Sequence, residues 1–190
     1  KLGLGTWLID DDKVDSLVAD AIKAGYRHID TAQAYGNEAG VGRGIKQSGI
    51  ARDDLFITTK LAAEHKDYDS AAAAIDESLR KLALDHIDLM LIHAPEPWAN
   101  FRDGDHYFEG NQAAWRALED AYKAGKLRAI GISNFEPVDV QNILDHSTVK
   151  PQVNQALAHI GNVPTDLIAF DTQHDILTEA HSPVAHGAML

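Results

Sequence analysis

The sequence predicts an α/β fold of the (β/α)8, or TIM-barrel, class. Three observations carry this. Short apolar segments alternate with amphipathic ones from end to end, the pattern of repeated βα units and a parallel sheet. The short segments are apolar on both faces, as parallel strands covered by helices are. Several of them close on ionisable or amide side chains, so that polar groups converge on one rim, where barrels of this class place their active sites. With 190 residues, 45% of them hydrophobic, the chain has apolar content enough for a single barrel domain over 1–190.

The elements follow in order. LGLGT (2–6) is the first strand, and Val14, Leu17, Val18, Ala21 and Ile22 share one face of a helix that stops at Gly25. HIDTA (28–32) is the second, with Asn37 placed to cap a helix that ends near Gly49. LFITTKL (55–61) precedes a helix with Ala71, Ile75, Leu79 and Leu82 at helical spacing. IDLMLIH (87–93) precedes one with Trp115, Leu118, Ala121 and Tyr122 that ends at Gly125. RAIGISN (128–134) leads to Pro137 in the first turn of the next helix. QVNQA (152–156) and ILTEAHSP (176–183) flank a helix around 166–170. Seven β units are more than a flavodoxin-like sheet needs and one fewer than a closed barrel has, so a barrel truncated before its eighth strand, with the C-terminal part missing, is expected. The long connection 94–111 carries Trp98, Phe101, Tyr107 and Phe108, aromatics suited to shaping a pocket at the rim.

A net charge of −12 argues against nucleic acid and anionic membrane surfaces as partners. No cysteine is present, which removes disulfide and thiolate chemistry and fits a cytoplasmic protein. There is no long apolar span and no basic-then-apolar leader. The ten histidines lack the close ligand spacing of a zinc site, so no metal is expected. No long exposed apolar stripe calls for a partner, and a monomer is expected.

The polar strand ends suggest a chemistry. Asp30 closes the second strand, Tyr35 follows in the next loop, Lys60 closes the third strand and His93 the fourth. Tyrosine is a poor acid at neutral pH, with a reference pKa of about 10, and a neighbouring ammonium favours its phenolate. Lys60 is expected to supply that charge and Asp30 to hold Lys60 ionised. His93 can donate a hydrogen bond to a substrate oxygen and orient it toward Tyr35. Such a set delivers a proton to an oxygen that becomes alkoxide-like, as carbonyl reduction requires. No side chain donates a hydride, so a nicotinamide cofactor is expected. Ser133, Asn134 and Gln155 offer donors and acceptors to its carboxamide. Ser133 and Asn134 have a second reading, as caps of the helix at Pro137. No Gly-x-Gly-x-x-Gly follows the first strand, and GNEAGVGRG (36–44) reads as turn and helix packing.

Together GTW at 5–7, DTAQAYGNE at 30–38, TTKL at 58–61, DLMLIH at 88–93, GISNF at 131–135, VNQ at 153–155 and SP at 182–183 resemble the aldo-keto reductase family. The resemblance covers nearly the whole chain and is nearest in flavour to the bacterial branch similar to 2,5-diketo-D-gluconate reductases and methylglyoxal-reducing relatives. It implies a small carbonyl substrate, possible dicarbonyls and keto-sugar acids included, with Tyr35 as general acid, Lys60 and Asp30 tuning it and His93 orienting the carbonyl. It also implies Ser133, Asn134 and Gln155 on the nicotinamide amide, Trp7 and Trp98 in the substrate pocket, and His181 and Ser182 beside the cofactor. NADPH follows from kinship, with NADH left open, because the family's contacts to the adenosine 2′-phosphate would lie beyond Leu190. His181 departs from the pattern: relatives place Tyr, Trp or Phe there to stack on the nicotinamide, and an imidazole stacks with less area, so weaker or altered cofactor binding is expected. Two other readings stand beside this one: a cofactor-binding regulatory subunit of the same fold with little turnover, and a barrel aldolase using Lys60 as a Schiff-base amine.

Overall fold

In the computed structural model, which describes residues 2–187, seven parallel strands hydrogen-bond in chain order. They are β1 (Gly3–Gly5), β2 (His28–Asp30), β3 (Phe56–Leu61), β4 (Leu89–Ile92), β5 (Ile130–Ser133), β6 (Val153–Leu157) and β7 (Leu177–His181). Between them run α1 (Asp11–Lys23), α2 (Glu38–Ser48), α3 (Tyr68–Leu82), α4 (Phe108–Lys123), α5 (Pro137–His146) and α6 (Thr165–Gln173). Sequential parallel pairing puts every strand's C-terminal end on the same rim, as the polar strand ends require.

The sheet is curled. In a flat sheet β2 and β6, four places apart, would be about 19 Å from each other. Instead the Gln155 amide of β6 donates to Asp30 of β2 at 2.8 Å, across the interior. The architecture is that of a (β/α)8 barrel short of one strand, with β1 and β7 at the edges.

The main core lies between sheet and helices, where Ile29, Ile57, Met90, Ile92, Ile130 and Ile132 meet the apolar helix faces. The opposite faces of the strands look inward, where Leu89, Leu91 and Val153 form a smaller cluster. The glycines of α2 are packing residues. A Cβ on Gly40 or Gly44 would run into α1 at Val14 or Val18, and one on Gly42 would meet the Leu82 carbonyl of α3. At the far end of the sheet Asp88 is buried against Arg52 at 2.5 Å, Arg128 at 3.3 Å and the Ile57 N–H at 2.8 Å. No helix among the described residues is long and apolar enough to cross a membrane.

Two local expectations change. Asn37 sits at the N-cap of α2 without capping it. Its side chain is buried and ties Thr6 O, Ile9 O and Thr31 together instead, so a long-range use displaces the local one. The long connection is also shorter than the sequence suggests, because α4 starts at Phe108 and takes Asn111 into its buried face.

Candidate active site

Tyr35 ends a single 3-10 turn, Gln33–Tyr35, after β2. Gly36 follows with φ 69°, a left-handed turn that sends the chain into α2. Gln33 anchors the turn, donating to Ala74 O at 2.9 Å and Ser78 Oγ at 2.8 Å and accepting from the Ala62 N–H at 2.7 Å. Gln33 therefore sets where the Tyr35 ring stands, a role the sequence did not reveal because α3 supplies its partners.

Lys60 is 1% exposed. Its ammonium donates to Asp30 Oδ1, to Thr31 O at 3.1 Å and to the Tyr35 hydroxyl at 3.4 Å, so each of its three hydrogens has a partner. Burial opposes the charge, but Asp30 and the hydroxyl outweigh it and hold the Lys60 pKa above its ordinary value. Tyr35 departs from expectation. Burial pushes its phenol above the ordinary value, Lys60 pulls it down, and Asp30 pushes it up. The net direction is upward, because burial, with Asp30 adding to it, outweighs the Lys60 charge that would otherwise stabilise a phenolate.

His93 is 7% exposed, its ring edge-on to Tyr35 at 5.6 Å and to Trp98 at 5.0 Å. Burial, together with the charge of Lys60 and with His181, lowers its pKa to about 3, so the ring is neutral at physiological pH. Its Nδ1 is buried with no hydrogen-bond partner. A buried N–H without a partner is costlier than a bare lone pair, which leaves the proton on Nε2 as a donor. This has a consequence for stability. The unfolded chain protonates His93 near 6.5 and the folded chain only near 3, so this contribution is complete above pH 6.5 and is lost as pH falls through that window. The thermal midpoint of the wild-type chain should fall more steeply between those limits than that of His93→Asn; parallel curves would refute the assignment.

Ser133, Asn134, Gln155, His181 and Ser182 form one network beside this group. The Ser133 hydroxyl donates to Gln155 O at 2.9 Å, and the Asn134 amide to His93 O at 3.0 Å and to Ser133 Oγ at 3.2 Å. Asn134 Oδ1 can only accept, so His181 Nε2 donates to it at 3.0 Å and His181 Nδ1 accepts from the Ser182 hydroxyl at 3.2 Å. Gln155 donates both amide hydrogens, to Asp30 and to Glu179. The donors of this wall are thus engaged by protein groups, and Gln155 Oε1 is left as an acceptor. Neither Ser133 nor Asn134 caps α5, whose start is closed by a capping box of Glu136 and Asp139 with Pro137 in the first turn. Asn134 and Ser182 hold φ of 62° and 53°, left-handed backbone that costs about 1–3 kcal/mol where non-glycine residues adopt it.

A cleft of about 1890 Å³ runs along the inner face of the sheet and is lined by Asp30, Tyr35 and His93, by the network beside them, by Glu179 and by Trp7, Trp98 and Phe101. Trp7 is half exposed at the rim, and Trp98 leans on His93 and lies 5.2 Å from Phe101. The structure thus brings the candidate residues from the sequence to one cleft, except that Lys60 is buried behind its wall, in contact with Asp30 and Tyr35. Glu179 joins them, and Gln33 holds the Tyr35 turn from outside the cleft. The alternation of β7 could have pointed to Glu179, two residues before His181 and on the same strand face. Among the described residues the one grouping able to offer a metal three ligand atoms is His28, Asp30 and Glu179, within 4.8 Å of one another. The side chains of all three are already hydrogen-bonded to protein groups.

Comparison with known proteins places the chain in a family. The model of the aldo/keto reductase family matches residues 1–190. The glyoxal reductase of Bacillus subtilis (strain 168) is 42% identical over 189 residues, covering 99% of this chain and 64% of that protein. The crystal structure of an aldo/keto reductase from Brucella melitensis superposes with a TM-score of 0.89 at 43% identity, over 96% of this chain and 68% of that one. A Bombyx mori aldo-keto reductase solved in complex with NADP gives 0.83 at 35% identity, over 95% of this chain and 62% of that one. The chain therefore spans just under two thirds of the length of the curated relative.

Proposed function

This chain belongs to the aldo/keto reductase family, and from that premise we propose that it reduces an aldehyde or ketone to the alcohol by hydride transfer from NADPH, with Tyr35 as general acid. The observation that carries the reading is the buried Lys60 ammonium, held by Asp30 and in contact with the Tyr35 hydroxyl. A raised phenol pKa keeps Tyr35 protonated at neutral pH, so the acid is loaded before substrate arrives. As negative charge grows on the carbonyl oxygen, the Tyr35 proton moves to it, and Lys60 stabilises the phenolate left behind. Asp30 keeps Lys60 charged and in place. His93 donates from Nε2 to the same oxygen and, being neutral, does not compete as the proton source. The aromatic rim of Trp7, Trp98 and Phe101 narrows access for water and suits a small substrate.

A nicotinamide, when bound, supplies the hydride. The Ser133–Asn134–Gln155 wall fits the NH₂ side of its carboxamide, because Gln155 Oε1 is left to accept those hydrogens, while the donors expected there are engaged with protein groups. The NADP complex of the Bombyx mori neighbour supports NADPH, and the glyoxal reductase relative supports a dicarbonyl substrate. The aldolase reading loses support, because a Schiff-base lysine needs a free neutral amine and Lys60 is an engaged ammonium. A binding-only role has no use for a buried cation held against a phenol. Loss of NADPH absorbance with glyoxal, methylglyoxal and a keto-sugar acid tests the activity and ranks the substrates; no turnover with any carbonyl compound would overturn the reading.

His181 separates cofactor binding from chemistry. His181→Tyr should tighten NADPH binding by about two- to ten-fold through added stacking area, read by quenching of tryptophan fluorescence. Unchanged affinity would remove His181 from the cofactor site.

A further inference from the structure

Glu179 has no part in the scheme above, yet it completes the hydrogen-bond chain at the scheme's centre. It is in register with Gln155 of β6 and on the same face of β7 as His181. The Gln155 amide nitrogen donates one hydrogen to Glu179 Oε1 at 2.5 Å and the other to Asp30 Oδ2 at 2.8 Å. Gln155 is 4% exposed, so these hydrogens have little access to water. Asp30 binds Lys60 through its other oxygen, and Lys60 reaches the Tyr35 hydroxyl at 3.4 Å. The run Glu179–Gln155–Asp30–Lys60–Tyr35 thus joins two carboxylates, one ammonium and one phenol by hydrogen bonds, with all but the buried Lys60 lining the cleft. Two carboxylates repel, and an amide NH₂ between them is a group that satisfies both at once. His28 lies within 4.8 Å of both carboxylates. The other titratable groups facing this run are His93 from β4 and His181 from β7.

We propose that Glu179 is a positioning residue for the proton-delivery centre. Through Gln155 it fixes Asp30 against Lys60, and its negative charge favours the neutral phenol of Tyr35 over the phenolate. The proposal rests on the reading of Tyr35 as the acid. It adds a second carboxylate that sets how readily the acid gives up its proton. It also explains why Gln155 presents an oxygen to the cleft: both its hydrogens are committed to carboxylates behind it.

The test titrates Tyr35 directly, by NMR of isotope-labelled tyrosine, with the Tyr35→Phe spectrum assigning the resonance. Glu179→Gln keeps the volume and an acceptor oxygen but removes the charge, and should lower the Tyr35 midpoint by about half a pH unit. Glu179→Asp keeps the charge and should stay close to wild type. The alkaline limb of the reduction rate should move with the midpoint, a change that a merely structural role would not produce. Circular dichroism and the thermal midpoint establish that both variants are folded. An unmoved midpoint in folded Glu179→Gln, or equal displacement in both variants, overturns the proposal. The titration needs neither substrate nor cofactor, so the two readings separate: turnover with an unmoved midpoint would sink the proposal alone, and a displaced midpoint without any turnover would sink the reductase reading, leaving only the charge effect of Glu179 on Tyr35.

Discussion

Tyr35→Phe is expected to slow carbonyl-dependent NADPH oxidation by about 10²–10⁴-fold, the usual contribution of a positioned acid. The substitution is clean because it removes one hydroxyl and little else. The Phe ring keeps the edge contact to His93, at 5.6 Å in the wild type, and the face 5.1 Å from the Lys60 ammonium. Lys60 retains Asp30 and Thr31 O and loses one long hydrogen bond of 3.4 Å, worth about 1 kcal/mol of stability. Cofactor affinity should not change, since Tyr35 makes no hydrogen bond to Ser133, Asn134 or Gln155. Activity within ten-fold of wild type would remove Tyr35 from the role of acid.

Lys60→Met should abolish activity and also destabilise the fold, by about 3–5 kcal/mol if the pair behaves as buried pairs do when one partner is removed. The reason lies in the neighbours. Asp30 would lose the one ion-pair partner it has among the described residues while still sharing the Gln155 amide with a second carboxylate, Glu179. Adding Asp30→Asn to Lys60→Met should restore part of the stability and none of the activity, because the stranded charge goes but the ammonium that stabilises the phenolate does not return. Urea denaturation of the wild type and the two variants measures this. A Lys60→Met chain within about 1 kcal/mol of wild type would show that the pair is solvated rather than buried.

Much of the fold was legible in the chain because parallel βα units write themselves in local patterns. The alternation of short apolar strands with helices located the seven strands and six α-helices of the described residues, and the differences lie at their ends: β2 stops at Asp30 rather than Ala32, and α4 starts at Phe108. Asn37 shows why ends are harder. A good N-cap residue was drawn away by Thr6 and Ile9, which are distant in sequence, and tertiary partners of that kind leave no local trace. Ser133 and Asn134 show the reverse case: a plausible local cap was ruled out because Glu136 and Asp139, nearer the helix, cap each other.

What the sequence determined by itself was the inventory of the site and the rim it occupies. Side chains that end parallel strands must gather at one edge, so Asp30, Lys60, His93, Ser133 and Gln155 could be grouped before any coordinate was known. Only the tertiary structure decided how they pair and in which direction their proton affinities move. Gln155 reaches Asp30 across 125 residues of chain because the sheet curls. Tyr35 is raised rather than lowered because burial and Asp30 together exceed the pull of Lys60. Such balances depend on three-dimensional distance and on exclusion of water, quantities that a linear pattern does not contain.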